Sequence, residues 1–193
     1  MRLREAALRT GAVVVYRPVS GAWIDGYLGG SLASLVAHLQ QSVASYINKD
    51  LGDWARFCGV EIQTSWQPQV STEWAQRGAI VAIECGRIAV YADAVFRAVF
   101  SDGRDISQRE VVLELAVACG LSGADFERRL DSEEVLAAVR ANGAELLARG
   151  GFGSPTMFVA EDMYFGHDRL PLVESALMRS SEQPFIAPGE HGR

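Results

Sequence analysis

The sequence predicts an α/β fold in which a long block of helices interrupts a small sheet. An apolar, β-branched run covers residues 12–17, and a strand–turn–strand–helix pattern covers residues 156–179. The roughly 120 residues between these two segments carry mostly helical periodicity. Because strand-forming segments lie near both ends of the chain, we expect the sheet to form from the two ends, with the helical block as an insertion.

The N-terminal elements are predicted from apolar runs and from the glycine or proline that ends them. Residues 2–10 are predicted to form a helix that ends at Gly11. Ala12–Arg17 is predicted to form a strand buried on both faces and ended by Pro18. Residues 19–30 contain four glycines and are predicted to form a loop.

The middle of the chain predicts a series of helices, most of them ended by glycine. The region Glu73–Phe100 allows either one long helix or two helices broken near Gly86. Ser107 and Glu110 have the spacing of a capping box at the start of a later helix. The predicted helical segments are 31–43, 50–58, 73–100, 105–119, a short one from Ser122 or Asp125, and 132–149.

The last predicted elements are two short strands and a helix. The strands are Thr156–Ala160 and Met163–Phe165, joined by a turn at Glu161–Asp162. The helix is Asp168–Arg179, and the proline- and glycine-containing tail that follows is expected to be loose.

Composition limits the function classes. The 193 residues are 49% hydrophobic and 22% charged, with a formal net charge of −6. An acidic chain with scattered basic residues argues against a nucleic-acid partner. No apolar run approaches the length of a membrane span, and no signal peptide is recognisable, so we expect a soluble, cytoplasmic protein without a membrane partner.

The cysteines argue against redox and metal chemistry. Cys58, Cys85 and Cys119 form neither a CxxC pair nor a metal-ligand spacing. Each lies in an apolar helical pattern, as expected of small buried side chains in a reducing compartment. We therefore expect neither a dithiol oxidoreductase nor a metal site.

The segment Gly150–Val159 is the most informative part of the chain. It places Pro155 after a glycine-rich stretch and directly before a short apolar strand. A proline cannot donate to a sheet ladder, so it must occupy the first strand position or face a ligand. In a Ser-Pro bond the cis form costs only about 0.5–1 kcal/mol. We expect Pro155 to hold a backbone edge open for a small polar ligand.

Four stretches together resemble one protein family. They are Arg17-Pro-Val19, Tyr46–Ala55, Gly150–Thr156 and Phe165-Gly-His-Asp-Arg-Leu170. The chain resembles the 2-hydroxychromene-2-carboxylate isomerases and, slightly more distantly, the kappa-class glutathione transferases. The resemblance implies a thioredoxin-like fold of the DsbA/kappa type with a large helical insertion, and a homodimer. The implied domains are 1–18 with 150–180 as the thioredoxin-like part, 19–149 as the insertion, and 181–193 as a flexible tail.

The resemblance also implies glutathione as cofactor. Its cysteinyl backbone would pair with the main chain of Ser154, next to a cis Pro155, and its γ-glutamyl end would lie near His167, Asp168 and Arg169. A helix N-terminus suits the γ-glutamyl carboxylate, and Asp168 can pair with the ammonium group. Asp168 as a simple N-cap and Arg169 as a solvated surface group are the alternatives. His167 is not expected to be catalytic. Lys49 and Asp50 form either a surface pair or part of a substrate cleft.

The front of the chain departs from the family pattern. The family's first strand leads into a turn whose serine stabilises the glutathione thiolate, and the chain begins after that point. We therefore expect this chain to lack both the first strand and the catalytic serine, leaving Ala12–Arg17 without its neighbour. The favoured explanation is a true start codon upstream of Met1; a decayed gene product or a strand borrowed from a partner are the alternatives.

The function implied by the resemblance is a glutathione-dependent isomerisation of a small aromatic substrate. The thiolate adds, a bond rotates, and glutathione leaves unchanged. A kappa-like transferase, which conjugates the thiol, and a non-catalytic glutathione-binding remnant stay as alternatives. The sequence leaves open whether the chain is an active enzyme, and no catalytic residue is assigned.

Overall fold

The computed structural model describes residues 2–27, 41–63 and 71–180. Residues 31–40 of the predicted helix 31–43 and the predicted tail 181–193 lie outside the described residues. The described elements are α1 (Arg2–Thr10), α2 (Gly21–Tyr27), α3 (Gln41–Cys58), α4 (Glu73–Glu84), α5 (Ile88–Phe100), α6 (Arg109–Ala118), α7 (Gly123–Leu130), α8 (Glu133–Ala148), β1 (Thr156–Val159), β2 (Asp162–Phe165), a 3₁₀ turn (His167–Arg169) and α9 (Leu170–Ser180).

The chain divides into two compact units. One comprises Met1–Tyr16 and Leu146–Arg193, and is called here the hairpin unit; the other comprises Arg17–Glu145, and is called the helical unit. The assignment of these parts as a thioredoxin-like portion and an inserted domain stays a prediction.

The helical unit is built on a buried core shared by α4, α5, α6 and α7. The rings of Tyr91 and Phe126 are almost fully buried, with their centroids 6.0 Å apart. The Tyr91 hydroxyl donates to the Ala75 carbonyl at 3.2 Å, and burial raises the pKa of Tyr91. The phenol is therefore a satisfied core group rather than a reactive one.

The hairpin unit combines a two-stranded sheet with two helices. β1 and β2 are antiparallel, with Thr156 opposite Phe165 and Val159 opposite Asp162. α9 packs against both α1 and β1. Because this core uses small side chains such as Ala6 and Ala176, the helices approach closely. Arg9 Nε donates to Glu174 Oε1 at 2.7 Å across the α1–α9 contact.

The predicted strand at Ala12–Arg17 is wrong. Burial alternates along this segment, as in an extended chain, and Val13 and Val15 are 87% and 64% exposed. The sheet of the described residues contains β1 and β2 alone. A strand requires a hydrogen-bonded neighbour, and the described residues provide none for residues 12–17.

The predicted loop over residues 19–30 is wrong where it is described. Gly21–Tyr27 is helical, and the Ser20 hydroxyl accepts from the Trp23 N–H at 3.4 Å. The Trp23 ring lies against Gly143 of α8, where an added Cβ would be 2.7 Å from it. A tertiary contact thus overrides the local preference of the glycines for a loop.

The glycine-based helix ends are confirmed. Gly11, Gly59, Gly120 and Gly150 follow helices with positive φ. Of the two options for Glu73–Phe100, the structure has two helices broken at Gly86, whose φ is 65°. None of the described helices is long and apolar enough to cross a membrane.

The predicted capping box before α6 is wrong. The N-cap is Gln108, and its side chain makes no capping hydrogen bond. The Ser107 hydroxyl instead donates to Asp105 Oδ1 at 2.6 Å, because Asp105 organises its own turn four residues before the first residue of the helix.

Candidate functional site

The Ser154–Pro155 loop lies at the entry to the hairpin. The Ser154–Pro155 peptide bond is cis, and β1 begins at the next residue, Thr156. The loop is held by two hydrogen bonds: the Thr156 hydroxyl donates to the Gly153 carbonyl at 2.6 Å, and the Gly166 N–H donates to the Pro155 carbonyl at 2.9 Å. The second bond joins this loop directly to the end of β2.

Gly166 is the link between the proline loop and the charged turn. Its φ of 98° and ψ of 151° lie in a region that only glycine occupies without strain. A Cβ at this position would also lie 2.6 Å from Asp168 Oδ1. Glycine therefore allows the Asp168 carboxylate to lie against the same backbone segment that bonds to Pro155.

Asp168 and Arg169 form a charge pair on the 3₁₀ turn that leads into α9. Arg169 Nη1 donates to Asp168 Oδ2 at 2.8 Å, and their side chains are about half exposed. The N-cap of the turn is Gly166, so Asp168 lies within the turn. The alternative in which Asp168 serves merely as the N-cap is therefore wrong.

The predicted site residues lie in two exposed segments of the hairpin unit, which are joined by the hydrogen bond from Gly166 to Pro155. Ser154, Pro155, His167, Asp168 and Arg169 are all exposed. The Ser154 main chain makes no backbone hydrogen bond to any other residue in the described ranges. Its N–H and C=O are thus available to an extended peptide-like ligand, in the way that one strand edge accepts another.

Two neighbours of the loop were not singled out by sequence reasoning. Arg149, just before the glycine pair, donates to the Ala160 carbonyl at 2.7 Å and lies 3.8 Å from the ring centroid of Phe158. Phe152 packs on Phe165 with ring centroids 4.6 Å apart. An arginine at a helix end and an aromatic residue between two glycines were the available signals, but their partners depend on the hairpin register.

The Lys49 region has a different arrangement from the pair considered above. Lys49 and Arg56 both donate to the Asp53 carboxylate on the exposed surface of α3. The hydrogen bond from Lys49 is the main reason that the pKa of Asp53 is lowered. The partner of Lys49 is therefore Asp53 rather than Asp50, and the contacts are those of a helix-surface ion pair.

The cysteines and acidic residues form no evident reactive centre in the described parts of the chain. The prediction that the three cysteines are buried is wrong for Cys58 and Cys85, which are exposed. Cys119 is buried, and burial raises the pKa of its thiol. Within those ranges, no cluster of three or more His, Cys, Asp or Glu side chains has the geometry to hold a metal ion.

Comparison with known proteins places these features in a family. The family model of the DSBA-like thioredoxin domain matches residues 1–178. The 2-hydroxychromene-2-carboxylate isomerase of Pseudomonas putida is 25% identical over 185 residues, which cover 94% of this chain and 88% of that protein.

Solved structures agree on the fold. A 2-hydroxychromene-2-carboxylate isomerase superposes with a TM-score of 0.79 at 24% identity, covering 93% of this chain and 86% of the other. A probable DsbA oxidoreductase from Streptomyces coelicolor gives a TM-score of 0.77 at 22% identity, covering 97% and 85%. With the cis-proline loop, the hairpin and the extended family match together, this chain belongs to the DSBA-like thioredoxin domain family.

Proposed function

We propose that this chain is a glutathione-dependent isomerase of the 2-hydroxychromene-2-carboxylate type. The names of its curated relatives support the reaction class, since the similarity extends over nearly the whole chain. No CxxC occurs in the sequence, which disfavours the dithiol chemistry of other members of the fold.

The observation that carries the glutathione proposal is the connection between the Ser154 main chain and the Asp168–Arg169 pair. Glutathione presents a peptide backbone at its cysteinyl residue and a zwitterion at its γ-glutamyl end. The Ser154 main chain, which has no backbone hydrogen-bond partner among the described residues, suits the first feature. The second feature suits the charge pair, because Gly166 bonds to Pro155 and contacts Asp168.

The charge pair can open for such a ligand. Asp168 and Arg169 are exposed, and an exposed ion pair contributes only about 0–1 kcal/mol. Exchanging this intramolecular pair for the ammonium and carboxylate of a zwitterion therefore costs little and forms two charge-assisted hydrogen bonds.

When bound, glutathione would supply a thiolate that adds to the substrate's conjugated double bond and leaves again after rotation, so that none is consumed. The chain's own part is to hold and orient. Ser154 would fix the cysteinyl unit beside the loop, and Asp168 and Arg169 would fix the far end. One anchor on the cysteinyl unit and a second on the γ-glutamyl end would restrict the position of the thiol, which is the source of an orientation advantage.

The test combines turnover with binding. Conversion of 2-hydroxychromene-2-carboxylate is followed with and without glutathione, and glutathione affinity is measured by calorimetry. We expect turnover only with glutathione, and roughly tenfold weaker binding in Asp168→Asn or Arg169→Gln, since each loses a hydrogen bond to a charged group.

The matched control is the Asp125–Arg128 pair, an exposed ion pair on α7 in the helical unit. Asp125→Asn should leave glutathione affinity unchanged. Turnover without glutathione, or equal affinity in Asp168→Asn and wild type, would contradict the proposal. Loss of glutathione into a conjugate with chlorodinitrobenzene, with no isomerisation, would indicate a kappa-like transferase. Binding without either reaction would indicate a non-catalytic glutathione-binding protein.

A further inference from the structure

An aromatic pair borders the candidate loop and takes no part in the proposed glutathione contacts. Phe152 lies two residues before Ser154, and its side chain is 49% exposed. Its ring packs on Phe165 with centroids 4.6 Å apart and planes inclined by 45°. The Phe152 ring is thus supported by the Phe165 ring, and part of Phe152 is exposed to solvent.

The glycines on either side of Phe152 fix where its backbone runs. Gly151 is buried, and a Cβ there would lie 2.3 Å from Leu146 Cδ1. A Cβ at Gly153 would lie 3.0 Å from Phe165 Cε2. The backbone therefore packs closely against Leu146 at Gly151, just before Phe152, and against the Phe165 ring at Gly153, just after it.

Phe165 is itself held in register with the loop. It lies opposite Thr156 in the hairpin, and the next residue, Gly166, donates to the Pro155 carbonyl. The aromatic pair and the Ser154–Pro155 loop are thus parts of one hydrogen-bonded framework. An aromatic pair fixed in this way loses little conformational freedom when a ligand binds.

We propose that Phe152, supported by Phe165, is an aromatic subsite that holds the fused ring of the substrate beside the Ser154–Pro155 loop. This inference rests on the proposed function and adds a residue that recognises the planar fused ring of the substrate. Aromatic rings favour offset or tilted packing, and the exposed part of Phe152 offers such a contact. The charge that completes recognition of a carboxylate would come from outside this subsite.

A purely structural role predicts something different. A half-exposed Phe that only supported the hairpin would alter stability on truncation and leave substrate affinity unchanged. A subsite requires a ring at this position, so Phe152→Tyr should preserve affinity and Phe152→Leu should not. Loss of an aromatic stacking contact corresponds to a roughly two- to tenfold weaker affinity for the substrate.

The helical unit offers a matched control. Phe96 is 62% exposed and also packs on a second aromatic ring, Phe100, with centroids 6.2 Å apart. Phe96→Leu removes an exposed, partnered ring of the helical unit.

The experiment measures three quantities in wild type, Phe152→Leu, Phe152→Tyr and Phe96→Leu. These are the KM for 2-hydroxychromene-2-carboxylate, the Kd for glutathione by calorimetry, and the Kd for the unreactive probe 2-naphthoate by NMR titration. We expect Phe152→Leu to raise the KM and the naphthoate Kd by about three- to tenfold, with the glutathione Kd within about twofold of wild type. Phe152→Tyr and Phe96→Leu should match wild type.

The outcomes separate the two proposals. If wild type does not turn over the chromene, the proposed function fails, and the naphthoate titration still decides whether the aromatic subsite exists. Equal naphthoate affinity in Phe152→Leu and Phe96→Leu, or no binding to wild type, overturns the subsite. If Phe152→Leu does not fold, the naphthoate Kd is measured in Phe152→Tyr and Phe152→His instead. Tighter or unchanged binding in Phe152→Tyr with weaker binding in Phe152→His supports the subsite. Equal loss of naphthoate affinity in both variants overturns it.

Discussion

The two units of the molecule differ in what their structure depends on. The helical unit has a core of large side chains, in which Tyr91, Phe126 and Leu130 are almost inaccessible to solvent. The hairpin unit leaves its candidate ligand-binding side chains exposed, and its local geometry depends on Pro155 and Gly166. Stability in the first should therefore depend on packing volume, whereas binding in the second should depend on backbone conformation.

The largest expected effect comes from filling space in the helical core. In Gly78→Ala, the new Cβ would lie 2.2 Å from the Tyr91 hydroxyl and 2.6 Å from Phe126 Cζ. Moving Tyr91 also weakens its hydrogen bond to Ala75. We expect a loss of about 2–4 kcal/mol in the free energy of unfolding, measured in urea.

Gly52→Ala is the matched control for this variant. Gly52 lies in α3 of the same unit, and nothing lies within 4 Å of an added Cβ. Alanine should therefore raise the free energy of unfolding by up to about 1 kcal/mol. If both substitutions changed stability in the same direction, packing at Gly78 would not explain the difference between the units.

Gly166→Ala tests the dependence of the hairpin unit on backbone conformation. Alanine at φ 98° and ψ 151° costs about 1–3 kcal/mol, and its Cβ displaces the Asp168 carboxylate. We expect glutathione affinity to fall in calorimetry by more than it does in Asp168→Asn, because the turn itself moves.

Gly86→Ala separates backbone strain from site geometry. Gly86 also has a positive φ, of 65°, and an added Cβ meets nothing within 4 Å. This variant should lose stability by about 1–2 kcal/mol and bind glutathione as wild type does. A similar loss of glutathione affinity in both alanine variants would show that general destabilisation, rather than the turn at Gly166, controls binding.

The same contrast explains what the sequence could predict. Helix ends at Gly11, Gly59 and Gly120 were predictable because the residue type itself permits the left-handed conformation. The strand at Ala12–Arg17 was not, since a strand exists only with a neighbour that local sequence does not specify. The helix at Gly21–Tyr27 was missed because Trp23 packs against Gly143, a residue far along the chain.

The residues of the candidate site also differ in whether their neighbours are local in the sequence. Ser154, Asp168 and Arg169 could be proposed from the family resemblance, because the motifs that carry it are local: a residue before a proline and two residues of a short turn. Arg149 and Phe152 could not, since their partners Ala160 and Phe165 lie across the hairpin and become neighbours only in its observed register.

Replacing Arg149 should have a smaller effect on the stability of the hairpin unit. Its guanidinium bonds to the carbonyl of Ala160, a non-glycine residue at φ 50°, and lies over Phe158. Arg149→Met removes both contacts and should cost about 1 kcal/mol, with faster amide exchange in β1 and β2. Arg140→Met, which removes an exposed cation of α8 paired with Glu133, should not alter exchange in the hairpin. Equal exchange rates in the two variants would exclude Arg149 as a support of the hairpin.

The smallest effect concerns a polar turn of the helical unit, where neither packing nor strained backbone is involved. The Asp105 carboxylate accepts hydrogen bonds from the Ser107 hydroxyl and N–H and from Gln108 Nε2. These bonds, that from the Ser107 hydroxyl above all, lower the pKa of Asp105 in the folded chain. The stabilisation is therefore complete above the unfolded pKa and is lost as pH falls through the folded pKa.

Replacing the hydroxyl donor tests the origin of that pH dependence. The stability advantage of wild type over Ser107→Ala should be present at about pH 6 and shrink towards about pH 3, because protonation of Asp105 removes the charge that the hydroxyl stabilises. NMR titration should show the carboxyl of Asp105 titrating at a higher pH in Ser107→Ala than in wild type. An advantage that stays constant over this range would mean that the Ser107 hydroxyl acts on the turn independently of the Asp105 charge. In that case the turn would resemble the helical core, where neutral contacts determine stability, more than the charged turn of the hairpin unit.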